Sequence, residues 1–234
     1  MCGVFGFVAA SGCGVDLAAV KRIAKATESR GRHAFGFAWV DSAGRLKAYK
    51  QRGRISDSLG LLAMARDARI LIGHCRYTTQ GTERDNINNH PHPADGGWIV
   101  HNGMIGGYAG IVQKRRLHPV SGCDSELLGL LIERSRGTLL ERCAAAADAC
   151  AGGSLVMLGV WPRPGRLIAV RAGNPLQSAE AEEGAYFASL ADGLPGSPAA
   201  VPDGVAMQWD SKGRVKAAPL AGRPAGGRST ADLF

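Results

Sequence analysis

No run of about 18 consecutive apolar residues occurs in this 234-residue chain, so it offers no candidate membrane-spanning helix. The N-terminus has neither the basic n-region nor the small-residue cleavage site of a secretory signal. None of the six cysteines (Cys2, Cys13, Cys75, Cys123, Cys143, Cys150) stands in a C-x-x-C pair, which speaks against a zinc site. Reduced thiols and a cytoplasmic location are the expectation, with Cys143 and Cys150 as small core residues of an alanine-rich helix. There is no internal repeat, phosphate-binding Gly-rich loop, zinc finger or RNA-recognition motif. The net charge of +8 therefore stands without an aromatic-interleaved basic patch. Five basic residues against two acidic ones fall from Met207 onward, and the rest is diffuse surface charge. That distribution leaves room for an anionic ligand or partner more than for nucleic acid.

What is present is ordinary globular material, 45% hydrophobic and 21% charged. Residues 2–10 (CGVFGFVAA) read as a buried strand, followed by a turn and an N-cap at Asp16 for a helix carrying Leu17, Val20, Ile23 and Ala24. The helix is expected to end near Arg30-Gly31. Residues 35–40 (FGFAWV) put Phe35, Phe37 and Trp39 on one face and Gly36, Ala38 and Val40 on the other, so both faces are covered. Further strands are expected over 46–51, 69–75, 98–101, 155–161, 166–171, 185–189 and 205–209, with helices over 56–66, 124–136 and 138–150. A last hairpin is expected to bring 214–216 against 205–209. Between 76 and 97 lies a polar, Asn-rich stretch of a length that usually has a function, expected to be mobile. From Ala217 the Pro/Gly/Ala/Arg composition reads as a disordered basic tail. Strands and helices in blocks, with strands apolar on both sides, imply an α+β fold of two packed antiparallel sheets with helices outside.

Two stretches carry chemistry. Met1 precedes a small residue, so its removal is expected to leave Cys2 first. An N-terminal cysteine joins a thiol to an α-amino group whose reference pKa is about 7.7–8.0. That group can take the thiol proton, making nucleophile and base one residue. At the end of an apolar strand, the Asn102 side-chain amide and the Gly103 N–H offer two donors to an oxyanion. Taken alone, the same residues also read as a chance cysteine and a hairpin turn.

Further stretches fall in a set order: Cys2-Gly3, Arg30-Gly31, residues 73–81 (GHCRYTTQG), Asn89-His90-Pro91-His92, His101-Asn102-Gly103 and Asp124-Ser125-Glu126. Together they resemble the glutaminase domain of class II glutamine amidotransferases, members of the N-terminal-nucleophile hydrolases. The resemblance is strongest to the glutaminase halves of glucosamine-6-phosphate synthase and amidophosphoribosyltransferase, and it runs from Cys2 to about Arg214. It implies a four-layer αββα sandwich, a domain over 1–216, and hydrolysis of L-glutamine through a γ-glutamyl thioester on Cys2. It assigns Asn102 and Gly103 to the oxyanion and Thr79 and Gln80 to the glutamine loop. Arg76 would hold the substrate α-carboxylate and Asp124 the α-ammonium. A loop-pinning salt bridge for Arg76 and an N-cap for Asp124 are the structural alternatives.

Neither cofactor nor metal is expected, and His90, His92 and His101 are read as holding loops. Cys75 and Cys123 are given packing roles, with Cys123 standing where the family often carries Thr or Ser. Tyr77 and Gln80 follow the phosphoribosyl enzymes, whereas His90-Pro91-His92 follows the sugar-phosphate ones, so the acceptor stays open. Because no acceptor domain is recognisable, the resemblance implies a separate synthase that takes up the ammonia. The alternatives are a free-standing amidohydrolase, an idle regulatory module of the same fold, and amidotransfer to a nucleobase.

Overall fold

The structure, a computed structural model, describes residues 1–150, 152–163, 165–213 and 216–221. In chain order the elements are β1 (Gly3–Ala9), α1 (Leu17–Thr27), β2 (Ala34–Asp41), β3 (Leu46–Arg52), β4 (Ala68–Arg76), β5 (His92–Ala94), β6 (Gly97–Gly103), α2 (Tyr108–Arg115), α3 (Glu126–Arg134) and α4 (Leu139–Ala149). Then come β7 (Leu155–Pro162), β8 (Gly165–Ala172), β9 (Gln177–Ala181), β10 (Gly184–Ala188), β11 (Ala199–Ala200), β12 (Val205–Trp209) and β13 (Lys216–Pro219). Short 3-10 helices cover Glu28–Arg30, Ile55–Ala65 and Asn86–Asn88.

The strands form two antiparallel sheets, ordered β11-β9-β10-β1-β4-β2-β3 and β13-β12-β8-β7-β6-β5. Side-chain alternation sorts the apolar residues into three layers. Val4, Val8, Ala38, Val40, Ile70 and Ile72 of the first sheet meet Val100, Val156, Leu158, Val160 and Leu167 of the second. On the first sheet's outer face, Phe5, Phe7, Phe35, Phe37 and Trp39 pack under Val20, Ile23 and Ala24 of α1. On the second's, Ile99, Met157, Ile168 and Val170 pack under α3 and α4. Each fully buried large side chain adds about 1.5–3 kcal/mol of transfer free energy. This is the αββα sandwich the sequence implied, with Phe35, Phe37 and Trp39 sharing one face as expected.

Asp16 caps α1 by accepting from the Ala18 and Ala19 N–H groups at 2.8 and 3.1 Å. The element expected over 56–66 is 3-10 rather than α, interrupted at Ser58.

Two expectations need correction. The stretch 76–97 is not one mobile loop. Residues 77–87 are mostly exposed, but Asn88, Asn89, His90, Pro91, His92 and Ala94 are buried and 92–94 pair with β6. Side chains hold this segment by bonding main-chain carbonyls: Asn88 Nδ2 to Thr82 at 2.9 Å, Asn89 Nδ2 to Glu83 at 2.9 Å and Lys50 Nζ to Asn89 at 2.7 Å. The segment also lies close on its neighbours. A Cβ on Gly36 would sit 2.2 Å from the His90 carbonyl oxygen, and one on Gly129 2.1 Å from that of Pro93. Second, the tail does not start at Ala217. Residues 216–219 pair with β12 and Leu220 is buried, because 217–218 supply small residues that fit a sheet edge. Arg214 and the tail beyond Ala221 lie outside the described residues.

Candidate active site

The first strand of the chain is central in its sheet, between β4 and β10, and its opening residue marks the site. Gly3 lies opposite Cys75, which sets Cys2 beside the end of β4. Arg30 Nε donates to the Cys2 carbonyl at 2.7 Å. Gly31 lets that turn press against β4, since a Cβ there would fall 2.4 Å from the Arg76 carbonyl carbon. Cys2 Sγ accepts the Tyr77 N–H at 3.3 Å and lies 3.4 Å from the Tyr77 carbonyl oxygen. Burial pushes its thiol pKa up, and the Tyr77 backbone contact opposes that. In this chain Met1 is attached, so the Cys2 nitrogen is an amide.

The end of β6 reaches the same end of the sandwich. His74 on β4 donates from Nε2 to the His101 carbonyl at 3.0 Å, which ties the two sheets together there. His101 Nδ1 in turn lies 2.8 Å from Ser125 Oγ at the start of α3. Burial keeps both rings neutral, with His101 lowered to about 4 despite nearby Asp124. Asn102 is 2% exposed, and its carbonyl accepts from Asn174 Nδ2 at 2.9 Å. Asn174 also engages Ser154. The Asn102 side-chain Nδ2 is buried without a partner. Only glycine fits at 103, because a Cβ would lie 2.2 Å from the Ser154 carbonyl oxygen and 2.8 Å from His101 Nε2.

Arg76 is 2% exposed and has no ion pair with a carboxylate among the described residues. Its guanidinium donates to Asn89 Oδ1 at 2.8 Å and to the Gln80 and Gly81 carbonyls. The loop is thus pinned by neutral acceptors, not by the salt bridge considered from sequence. Asp124 does not cap α3 through its side chain. Its Oδ2 accepts the Ile105 N–H at 3.0 Å, across the site from the helix. Arg76 is thus met by an asparagine side chain and two main-chain carbonyls, and Asp124 by a main-chain N–H. Thr79 and Gln80 are exposed, and Gln80 engages Arg76 only through its backbone.

Asn89 and Ser125 were quoted from the sequence within motif stretches but given no role, and Asn174 was missed. Each acts through a residue that was named: Asn89 on Arg76, Asn174 on Asn102, Ser125 on His101. A cavity of about 360 Å³ lined by Ala10, Asp41, Arg69 and Ser211 lies at the opposite end of β1, away from Cys2.

No protein-family model matches the chain. It is 32% identical over 184 residues to the glutamine–fructose-6-phosphate aminotransferase (isomerizing) of Aquifex aeolicus, a match that takes in 75% of this chain and 30% of that enzyme. The chain thus spans less than a third of the length of that relative. Among solved structures it superposes on glutamine phosphoribosylpyrophosphate amidotransferase of B. subtilis with a TM-score of 0.76 at 19% identity, covering 94% of this chain and 49% of that one. A glutamine aminotransferase class-II domain protein of Silicibacter pomeroyi superposes with a TM-score of 0.67 at 16% identity, covering 94% of this chain and 99% of that one.

Proposed function

Because the chain carries a class II glutamine amidotransferase domain of the N-terminal-nucleophile type, we propose that it hydrolyses the side-chain amide of L-glutamine through Cys2. The observation that carries this reading is the buried, unpartnered Asn102 Nδ2 at the end of β6. An unsatisfied buried donor costs about 1–3 kcal/mol, a cost recovered when an oxyanion takes the bond. A buried arginine bonded only to neutral acceptors supports the same reading, since a carboxylate can displace them to form a charge-assisted pair.

In the proposed reaction the Cys2 α-amino group, freed by loss of Met1, takes the thiol proton. Sγ attacks the δ-carbon, and the oxygen of the tetrahedral adduct accepts from Asn102 Nδ2 and the Gly103 N–H. The amino group returns the proton to departing ammonia, leaving a γ-glutamyl thioester that water cleaves to glutamate. Arg76 and Asp124 take the α-carboxylate and α-ammonium, with Thr79 and Gln80 closing over the substrate. Burial that raises the thiol pKa makes the adjacent base necessary, since little thiolate forms unaided.

The ammonia is assigned to a separate acceptor synthase, and the protein to the cytoplasm. One experiment tests the chemistry and the coupling together. Intact mass separates chains that retain Met1 from those that begin at Cys2, and ammonia release is then measured with and without the co-purifying synthase and its acceptor. Activity is expected only in the trimmed form, and it should rise when the synthase is added. Full activity with Met1 in place would overturn the self-base mechanism. High turnover without any partner would replace the coupled subunit by a free-standing amidohydrolase.

A further inference from the structure

We propose that His90, His92 and Cys123 form a binding site for a thiophilic d10 cation, Zn2+ or Cu+, between the buried 88–92 segment and the start of α3. One ring nitrogen from each histidine and the Cys123 Sγ lie within 4.8 Å of one another, and all three residues are buried. The site does not depend on the glutaminase reading.

A second observation points to a ligand. Both ring nitrogens of His90 and Nε2 of His92 are buried without a hydrogen-bond partner. Buried ring nitrogens normally find donors or acceptors, and an ion taking one nitrogen of each ring would relieve two of these three. The rings are held in place by each other. His90 stacks on His74 with centroids 3.8 Å apart and meets His92 edge-on at 4.7 Å. Burial keeps these rings neutral, with His92 lowered to about 3, so their lone pairs are free at working pH.

The donor set selects the ion class. Two imidazoles and a thiolate suit Zn2+ or Cu+, whereas Mg2+ and Ca2+ need oxygen ligands. Metal–nitrogen bonds of about 2.0–2.1 Å and a metal–sulfur bond of about 2.3 Å require the donors to draw in by roughly 1 Å. That is within the reach of side-chain rotation. The charge balance is workable. Lys50 and Arg76 bear on the cluster, but the Lys50 ammonium is engaged by the Asn89 and Pro91 carbonyls. Burial raises the Cys123 thiol pKa and Asp124 adds to that, while hydrogen bonds from Ser125 and the charge of Arg76 oppose it, so the thiolate forms only as the ion binds. On binding, Cys123 releases its proton, and the ion joins the segment carrying His90 and His92 to the residue preceding Asp124.

The test uses the full chain, reduced and stripped with chelator, then titrated with Zn2+, or with Cu+ under reductant, against a chromophoric competitor. Co2+ serves as the spectroscopic probe. One equivalent should bind, and Co2+ should give a thiolate-to-metal charge-transfer band. Loss of an outer partner of a metal ligand already weakens binding about 10–100-fold, so Cys123→Ser should exceed a hundredfold. His92→Gln should show the same loss, while Cys2→Ser and Cys13→Ser bind normally. Binding that survives both Cys123→Ser and His92→Gln, that vanishes in Cys2→Ser, or that never shows a thiolate band would overturn the site. So would no binding of either ion.

Discussion

The two halves of the candidate site differ in what fills them. On the nucleophile side, Asn102 Nδ2 has no partner and Gly103 is confined by Ser154 and His101, so the donors stand ready at fixed positions. On the head-group side nothing is vacant. Arg76 is bonded to Asn89 and to the Gln80 and Gly81 carbonyls, and Asp124 to the Ile105 N–H. The donors on the first side belong to the end of a core strand. The contacts of Arg76 come partly from an exposed turn. In the proposed reaction glutamine would meet preorganised oxyanion donors, but would have to exchange partners at Arg76 before its carboxylate could bind. Such an exchange lets substrate binding govern the loop over 77–87.

Several variants sharpen or break this contrast. Cys2→Ala should abolish glutamate release while the melting temperature holds, since the residue lies at a strand end outside the large core. Residual turnover near the parent value would remove Cys2 from the chemistry. Asn102→Ala should lower kcat by about a hundred- to a thousandfold, equivalent to roughly 3–4 kcal/mol, with KM little changed. A rise in KM alone would move Asn102 to the binding half. Arg76→Ala and Asp124→Asn should raise KM by roughly ten- to a hundredfold, in line with about 1.5–3 kcal/mol for a hydrogen bond to a charged group. Unchanged KM in both would refute the head-group assignment. Asn89→Ala, which removes one neutral partner of Arg76, should cost about 1 kcal/mol of stability and shift KM only severalfold. Thr138→Ala should cost a similar amount through its capping box with Glu141 and leave both halves of the site untouched, as parallel melts and assays would show.

The layers were legible because β1 and β2 are apolar on both faces, a pattern only a covered strand tolerates. The missed elements hide their signal. α2 starts at Gly107 in the left-handed region and has no fully buried residue, and its short stripe of Tyr108, Ile111 and Val112 is only partly covered. β9 is a mixed-polarity strand near the sheet edge. The 88–92 segment was read as mobile because asparagine and histidine look like loop residues. Composition does not reveal that the asparagine side chains are spent on carbonyls and that the histidine rings pack against one another. Of the residues named from sequence, Cys2 and Arg76 lie at neighbouring ends of β1 and β4, Asn102 and Gly103 at the end of β6, and Thr79 and Gln80 on the exposed turn. What the sequence did not disclose is that Arg76 and Asp124 are satisfied from within.

The placement of β1 has a consequence for how the molecule is made. This strand is made before either of its neighbours, yet it lies between β4 and β10, where Gly3 faces Cys75 and Phe5 faces Ala188. The strand cannot gain its second neighbour until some 180 residues more have been synthesised. Such distant pairings close slowly, because chain entropy must be lost before the contacts repay it. Met1 itself stays outside, 72% exposed in the finished fold, so the terminus remains reachable after the strand has closed. An extension fused ahead of Met1 would leave the sheet at this exposed end, beside Cys2.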